Sequence, residues 1–298
     1  MKINGIVTKS IGGKFEVLCG GNKYLCNSRQ SVKKEVSQLI VGDKVELDTT
    51  NNIITGVKKR ENYFVRPLIA NINQIVIVLS VLPKADLILT DKLLVNCYLN
   101  NIIPVICINK NDIADKKFIE DIYDQYGKYI KIISTSAIEK TGKNDLLDIL
   151  KDKITGFAGQ SAVGKTSLLN LIFPGLQEAT GDLSNKTERG KHTTRHTQLY
   201  QLPTGGLVAD TPGFSLLELS VPSKSLNLYY PEFNEIQNNC KFKSDCMHIT
   251  EPDCAVKKHI AEGKISKERY LRYCFIYDEL KDSENYKYRR NKFKNEKN

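Results

Sequence analysis

No part of this 298-residue chain is apolar for long. The longest apolar run, "IVIVLSVL" (75–82), is too short to span a bilayer. The start, "MKINGIVTKS", lacks the seven-residue apolar stretch that a secretory signal requires. A monomeric, cytoplasmic protein with no membrane partner is therefore expected. In that reducing setting the eight cysteines are not explained by disulfides. Internal repeats are absent too, so a stacked-repeat architecture is excluded. Acidic residues are also in short supply. Lys and Arg number 44 against 34 Asp and Glu, which leaves a net charge of +10 and a pI near 9.0. Such a surface either keeps the protein soluble or faces a polyanion, nucleic acid first.

The length suggests two or three domains, and the pattern along the chain changes twice. Residues 1–66 hold five short strand-like runs, "GIVTKSI" (5–11), "KFEVLC" (14–19), "KYLCNS" (23–28), "DKVELDT" (43–49) and "NIITGVKKR" (52–60). The pairs Gly12-Gly13 and Gly20-Gly21 between them are hairpin signals. Five strands without helical periodicity suggest a Greek-key barrel of the OB type. Over residues 1–68 Lys and Arg outnumber Asp and Glu by 12 to 6, which suits an RNA-binding barrel, with a purely structural barrel as the other reading.

Residues 67–224 alternate apolar strands with helical stretches. The strands are expected at 73–81, 103–109, 130–135, 154–159 and 206–210, and the helices at 89–101, 115–127 and 143–153. That alternation predicts an α/β fold with a doubly wound, mostly parallel sheet. Residues 225–298 are polar, Lys-rich and helical in tendency, and end in "YKYRRNKFKNEKN" (286–298), a tail expected to be disordered in isolation.

The central segment carries the chemistry. "GQSAVGKTS" (159–167) fits the phosphate-loop pattern, with a strand before it and an apolar helix start after it. Gly159 and Gly164 allow the sharp turn, and the backbone of Gln160, Ser161, Ala162 and Val163 can aim N–H groups at phosphate oxygens. Lys165 would neutralise β/γ charge, Thr166 would offer its hydroxyl to Mg²⁺, and Ser167 begins the helix. "NKND" (109–112) closes a parallel strand at the edge where such sheets bind ligands. There Asp112 can accept from guanine N1–H and the 2-amino group together, a donor pair that adenine lacks. Asn109 can bridge to a neighbouring loop, Lys110 can cover the base with its stem, and Asn111 lies between them. Small Ser136-Ala137, after the next strand, would let backbone amides approach the guanine oxygen.

"DTPG" (210–213) adds Asp210 for the Mg²⁺ shell and the Gly213 amide as a γ-phosphate sensor. Thr193 and Thr194, in the polar stretch 181–195, can complete Mg²⁺ coordination. Together these parts specify a guanine-nucleotide switch, because an ATPase would leave NKND and the Ser-Ala pair without a role. Their order is permuted: the base reader precedes the phosphate loop, and the helix 143–153 runs into the strand that joins what are ordinarily termini. No Gln follows Gly213 to orient a water; Phe214 stands there. His192 is the candidate in its place, either catalytic or positioning the loop. Cys240, Cys246, His248 and Cys254 lie within fifteen residues and suit one structural Zn²⁺ held tetrahedrally.

The permuted order, the barrel before it and the cysteine cluster after it resemble the ribosome small-subunit-dependent GTPase A family. "RPLIANINQIVIVLS" (66–80), "NKND", "TSA", "GQSAVGKTSLLN", "GKHTTR", "DTPGF" and "CKFKSDCMHITEPDCAVK" carry the resemblance over nearly the whole chain. It implies three domains: an OB barrel (1–66), a circularly permuted P-loop GTPase domain (67–224) and a mainly helical zinc-binding domain with a basic tail (225–298). It also implies GTP and GDP as ligands, the small ribosomal subunit with its 16S rRNA as partner, and hydrolysis stimulated by that subunit during its late maturation. The residues alone leave a second reading open, an RNA-binding module gated by nucleotide in which hydrolysis only resets affinity.

Overall fold

The computed structural model describes residues 2–65, 67–173, 197–210 and 219–295. Strands β1 (Lys2–Ile11), β2 (Lys14–Cys19), β3 (Asn22–Ser28), β4 (Lys44–Asp48) and β5 (Ile53–Val57) close into a barrel of order β1-β2-β3-β5-β4. The two Gly-Gly turns join antiparallel neighbours, as their hairpin chemistry implies. Alternate positions turn inward, so Val7, Val17, Cys19, Cys26, Val45, Leu47 and Ile54 fill the interior. The barrel also contains a helix that was not expected, α1 (Gln30–Glu35). It has six residues, too few to show a helical period, and Val32 plugs it into the barrel core.

A two-stranded ribbon, β6 (Tyr63–Val65) and β7 (Leu68–Ala70), follows the barrel, and its turn falls where the barrel was expected to end. The ribbon seals onto the barrel through backbone. Ala70 N–H donates to Val41 O, and the buried Asn71 side chain accepts from Glu61 N–H and donates to Gly42 O. Gly42 sits at φ +89°, and a Cβ there would lie 2.0 Å from Ala70 O. Beside it Arg60 forks onto the fully buried Asp43 at 2.7 and 2.9 Å.

The central sheet has the order β10-β9-β8-β11-β13-β12. Its parallel members are β8 (Gln74–Leu79), β9 (Ile103–Ile108), β10 (Lys131–Ser134), β11 (Ile154–Ala158) and β13 (Leu207–Asp210). The edge strand β12 (Gln198–Gln201) is antiparallel. Every residue of β8 is buried, and its two faces serve different layers. Ile75, Ile77 and Leu79 pack with α2 (Leu87–Leu99) and α3 (Lys116–Tyr126) through Leu93, Leu94 and Ile122. Val76 and Val78 pack with α4 (Lys143–Leu150) and α5 (Lys165–Ile172) through Leu146, Leu150, Leu168 and Ile172. Each such side chain contributes about 1.5–3 kcal/mol by leaving water. The doubly wound sheet is thus as expected, although α4 ends at Leu150 and leaves a short turn before β11.

The C-terminal segment is built from short turns, a helix at Ala255–Ala261 and a long helix at Lys267–Asn295. The long helix is packed through Tyr273, Ile276 and Leu280, and Glu284 accepts from Ser223 N–H and Oγ. The tail expected to be disordered in isolation continues this helix to Asn295, because no Gly or Pro interrupts the chain after Gly263. Among the described residues no helix is long and apolar enough to cross a membrane.

Replacing Gly42 by Ala should destabilise the chain by at least about 2 kcal/mol, from the positive φ plus the forced separation of barrel and ribbon. Equilibrium denaturant unfolding checks this; an unchanged midpoint would mean that the Gly42–Ala70 approach is not tight.

Candidate functional site

The carboxyl ends of β8, β9, β10 and β11 meet on one edge of the sheet. From β8 the chain steps outward through β9 to β10, then returns to β11 and proceeds the other way. Neighbouring β8 and β11 therefore flank a topological switch point, where open α/β sheets leave a crevice for ligands. The loop after β11 is the phosphate-loop segment. Gly159 has φ +130° and lies so close to β8 that a Cβ would fall 2.4 Å from Val78 O. Ala162 also has positive φ, and Val163 is buried beneath the loop. Gly164, at φ +94°, starts α5, whose first turn exposes Thr166 and Ser167.

The base-reader segment leaves β9 beside this loop. Asn109, 1% exposed, donates from Nδ2 to Val163 O at 2.9 Å and accepts at Oδ1 from Thr135 Oγ1 at 3.2 Å. A Cβ on Gly164 would sit 2.3 Å from that Nδ2, so the approach requires glycine. Lys110, at φ +60°, donates from Nζ to Leu82 O at 2.7 Å and to Ala162 O at 2.9 Å. Asn111 N–H donates to Thr135 O, and Asn111 Oδ1 accepts from Thr141 Oγ1 at 3.2 Å. Asp112 stands exposed at the rim. Buried Ser136 and half-buried Ala137 follow, with Ser136 Oγ accepting from Glu139 N–H.

Lys165 reaches back over its own loop and donates to Gly159 O and Gln160 O, each at 2.7 Å. Partial burial lowers its pKa, while the ammonium remains the charge best placed for an anion in the loop. Gln160 turns outward and accepts from Asp86 N–H at 3.1 Å. Asp210 ends β13, the strand paired with β11. His192, Thr193, Thr194 and Gly213 lie outside the described residues.

Thr135 enters the sequence reading only as the first residue of "TSA", with no role of its own, and Thr141 and Leu82 are not singled out there. Leu82 and Thr141 enter only through the folded loops.

Cys240, Cys246, His248 and Cys254 place their donor atoms within 4.8 Å of one another, and all four residues are buried. His248, at φ +61°, directs Nδ1 to Cys254 Sγ at 3.4 Å and Cys240 Sγ at 3.7 Å. Its Nε2 is buried without a hydrogen-bond partner, and the ring stands edge-on to Phe233, centroids 5.3 Å apart. Burial pushes the His248 pKa down to about 4, which leaves the ring neutral and Nδ1 able to act as a donor. Burial, with neighbouring thiols, raises Cys246 and Cys254. Three confined thiols and a neutral imidazole form a soft donor set, and that set fits a tetrahedral divalent metal. The polar segment around these ligands is nevertheless enclosed, because Tyr230, Phe233 and Tyr273 supply apolar walls.

The profile of the RsgA GTPase family matches residues 57–220. A small ribosomal subunit biogenesis GTPase RsgA of Caldanaerobacter subterraneus subsp. tengcongensis is 39% identical over 293 residues, 97% of this chain and 99% of that protein. One from Geobacillus sp. strain WCH70 is 42% identical over 290 residues, 93% and 97% of the two chains. Among solved structures, YjeQ from Thermotoga maritima superposes with a TM-score of 0.82 at 33% identity, covering 94% of this chain and 99% of that one. YloQ, described as a circularly permuted GTPase, does so with a TM-score of 0.80 at 32% identity, covering 95% and 96%.

Replacing Asn109 by Ala should leave Val163 O and Thr135 Oγ1 without their buried partner and destabilise the chain by about 1–3 kcal/mol. Loss of stability limited to a few tenths, measured by denaturant titration, would show that the two loops are held together by other contacts.

Proposed function

The chain belongs to the RsgA GTPase family and is a ribosome-biogenesis GTPase; from that premise we propose that it binds the small ribosomal subunit through 16S rRNA and hydrolyses GTP when it does so. One observation above all supports the nucleotide reading. The Asn109 carboxamide joins the base-reader loop to the phosphate loop at the switch point of the sheet, so recognition of base and phosphates occurs in one crevice.

In this reading GTP lies with its phosphates over residues 159–167 and its base against 109–112 and 136–137. Backbone N–H groups of the loop face the α- and β-phosphates, and the Lys165 ammonium faces the β/γ oxygens. Asp112 accepts the two guanine donors, and the Lys110 stem, tethered at Nζ, covers one face of the base. Thr166, with Asp210 and Thr193 or Thr194, would hold Mg²⁺, which neutralises charge developing between the β- and γ-phosphates. A water attacks the γ-phosphorus in line, the bond to the β–γ bridging oxygen breaks, and GDP and phosphate leave. His192, as a neutral imidazole, orients that water by accepting a hydrogen bond from its O–H, in place of the Gln absent after Gly213. Gly213 senses the γ-phosphate. Without a built-in Gln, turnover depends on the partner.

The domain assignment follows. Residues 1–66 are an RNA-binding barrel, 67–224 the GTPase, and 225–298 a module held by Zn²⁺ on Cys240, Cys246, His248 and Cys254. The net charge of +10 supports the polyanionic partner. The protein acts in the cytoplasm as a monomer.

GTP turnover is to be measured with no ribosome, with small subunits and with large subunits. Small subunits alone should raise the rate by roughly 10³-fold or more, the range a partner supplies to other GTPases. A rate indifferent to both subunits would remove the ribosomal partner, and His192→Ala should abolish the stimulated part. Asp112→Asn should weaken GTP binding and improve xanthosine triphosphate binding; unchanged preference would overturn the base reader.

Elemental analysis of the purified chain should give one zinc per molecule. Its removal by chelation should unfold the module around residues 240–254, with loss of far-UV ellipticity, because its folding energy is largely metal-binding energy. Retained structure after complete removal would show that aromatic packing alone suffices.

A further inference from the structure

Helix α2 touches both functional parts of the molecule. At its start, the N-cap Asp86 accepts from Leu89 N–H, and its own N–H donates to Gln160 of the phosphate loop at 3.1 Å. Lys110 fastens the preceding loop to Ala162 a second time, through Leu82 O. Five residues on, about 7.5 Å along the axis, Asp91 is 1% exposed and faces the C-terminal module. Asp91 accepts from Tyr126 Oη at 2.9 Å and from Arg272 Nε at 2.6 Å, with Arg269 Nη1 at 3.8 Å. Arg272 donates further to Gln125 Oε1 at 2.8 Å and Tyr126 Oη at 2.9 Å. The remaining faces of α2 divide likewise. Leu93, Leu94 and Cys97 belong to the sheet core, whereas Val95 belongs to the module core and Lys92 pairs with Glu279.

The ionic cluster around Asp91 is not fully satisfied. Arg269 lies between the rings of Tyr126 and Tyr230, 4.5 and 5.3 Å from their centroids. Its Nε is 2.5 Å from Glu232 Oε1, yet the N–H is not aimed at that oxygen. Both Glu232 oxygens and Tyr230 Oη are buried without an aligned hydrogen bond. Buried charge with incomplete hydrogen bonding is costly, and its energy changes steeply with small displacements.

We infer that the first turns of α2 couple the phosphate loop to the C-terminal module, with Gln160 at the N-cap and Arg272 at Asp91, five residues further on, as the positioning residues. The inference rests on the nucleotide reading above. Ordering of the phosphate loop by nucleotide fixes the α2 N-cap, and a fixed α2 holds Asp91 where both arginines reach it. The coupling is reciprocal: whatever factor the docked module adds to nucleotide affinity, nucleotide adds to the docking of the module.

Two measurements on the full chain test it, GDP affinity by calorimetry and amide hydrogen exchange over residues 267–280 with and without GDP. In the unaltered chain GDP should slow exchange across that helix by about five-fold or more. Arg272→Gln should weaken GDP by a similar factor and abolish the GDP-dependent slowing, and Arg272→Lys, which keeps the charge but not the fork, should fall between. A purely structural arginine would lower the melting temperature and leave the GDP-dependent slowing intact, which overturns the coupling. Unchanged GDP affinity in both variants overturns it too. If Arg272→Gln does not fold, Arg272→Lys carries the same comparison. GDP binding to the unaltered chain with no effect on residues 267–280 sinks the coupling and spares the nucleotide reading, whereas failure to bind GDP at all removes both.

Discussion

One buried carboxamide holds the nucleotide site together. Asn109 gives its amide hydrogen to the phosphate loop and takes a hydroxyl hydrogen from Thr135, so three loops that follow three different strands share a single side chain. None of these loops has a regular element to set its shape, and each would wander without that shared contact. Gly164 exists to admit it, because any Cβ there would displace the amide. Lys110 repeats the same connection on the outer side, from Nζ to Ala162 O. The loops proposed to read base and phosphates are therefore tied together at one hydrogen-bonded centre.

That dependence explains why the permuted chain order is tolerable. Contacts in the site are made between strand ends that are neighbours in the sheet, and the order β10-β9-β8-β11-β13-β12 does not refer to which strand is synthesised first. The β11 strand that starts the phosphate loop pairs with β8 in register from Thr155–Gln74 to Ala158–Ile77. Joining α4 to β11 requires only a three-residue turn, and the entropy of closing such connections changes slowly with their length. Moving the chain ends elsewhere leaves every one of these pairings intact. It also frees the two ends of the sheet domain to receive a barrel and a module.

Much of this was legible in sequence because it is local. Gly pairs between alternating runs mark the barrel hairpins, a Gly-Lys-Thr after an apolar strand marks the phosphate loop, and four soft ligands in fifteen residues mark the metal cluster. The missed features are either too short or too far apart. Helix α1 has six residues and one buried anchor, and each strand of the β6–β7 ribbon has three. Asp91 and Arg272 are separated by 181 residues, so neither shows its partner. The burial of Cys240 and Cys254 does not show in the sequence for the same reason. Their polar neighbours are local, whereas the aromatic walls come from Tyr230, Phe233 and the distant Tyr273.

The two attachments to the central sheet differ in kind, and that difference bears on how the molecule works. The barrel side is joined by backbone: Gly42 against Ala70, the Val41–Ile69 bridge and the doubly bonded Asn71. Backbone contacts at such distances have one arrangement, and a small shift breaks them outright. The module side is joined by charge: Asp91 and Glu232 with two arginines, several of whose polar atoms lack an aligned partner. Buried ionic contacts that are incompletely hydrogen-bonded change their energy with small displacements of either partner. In the function proposed above, a nucleotide-dependent grip on RNA uses one fixed and one adjustable attachment. The barrel provides the fixed reference, and α2 places the adjustable one within reach of the phosphate loop.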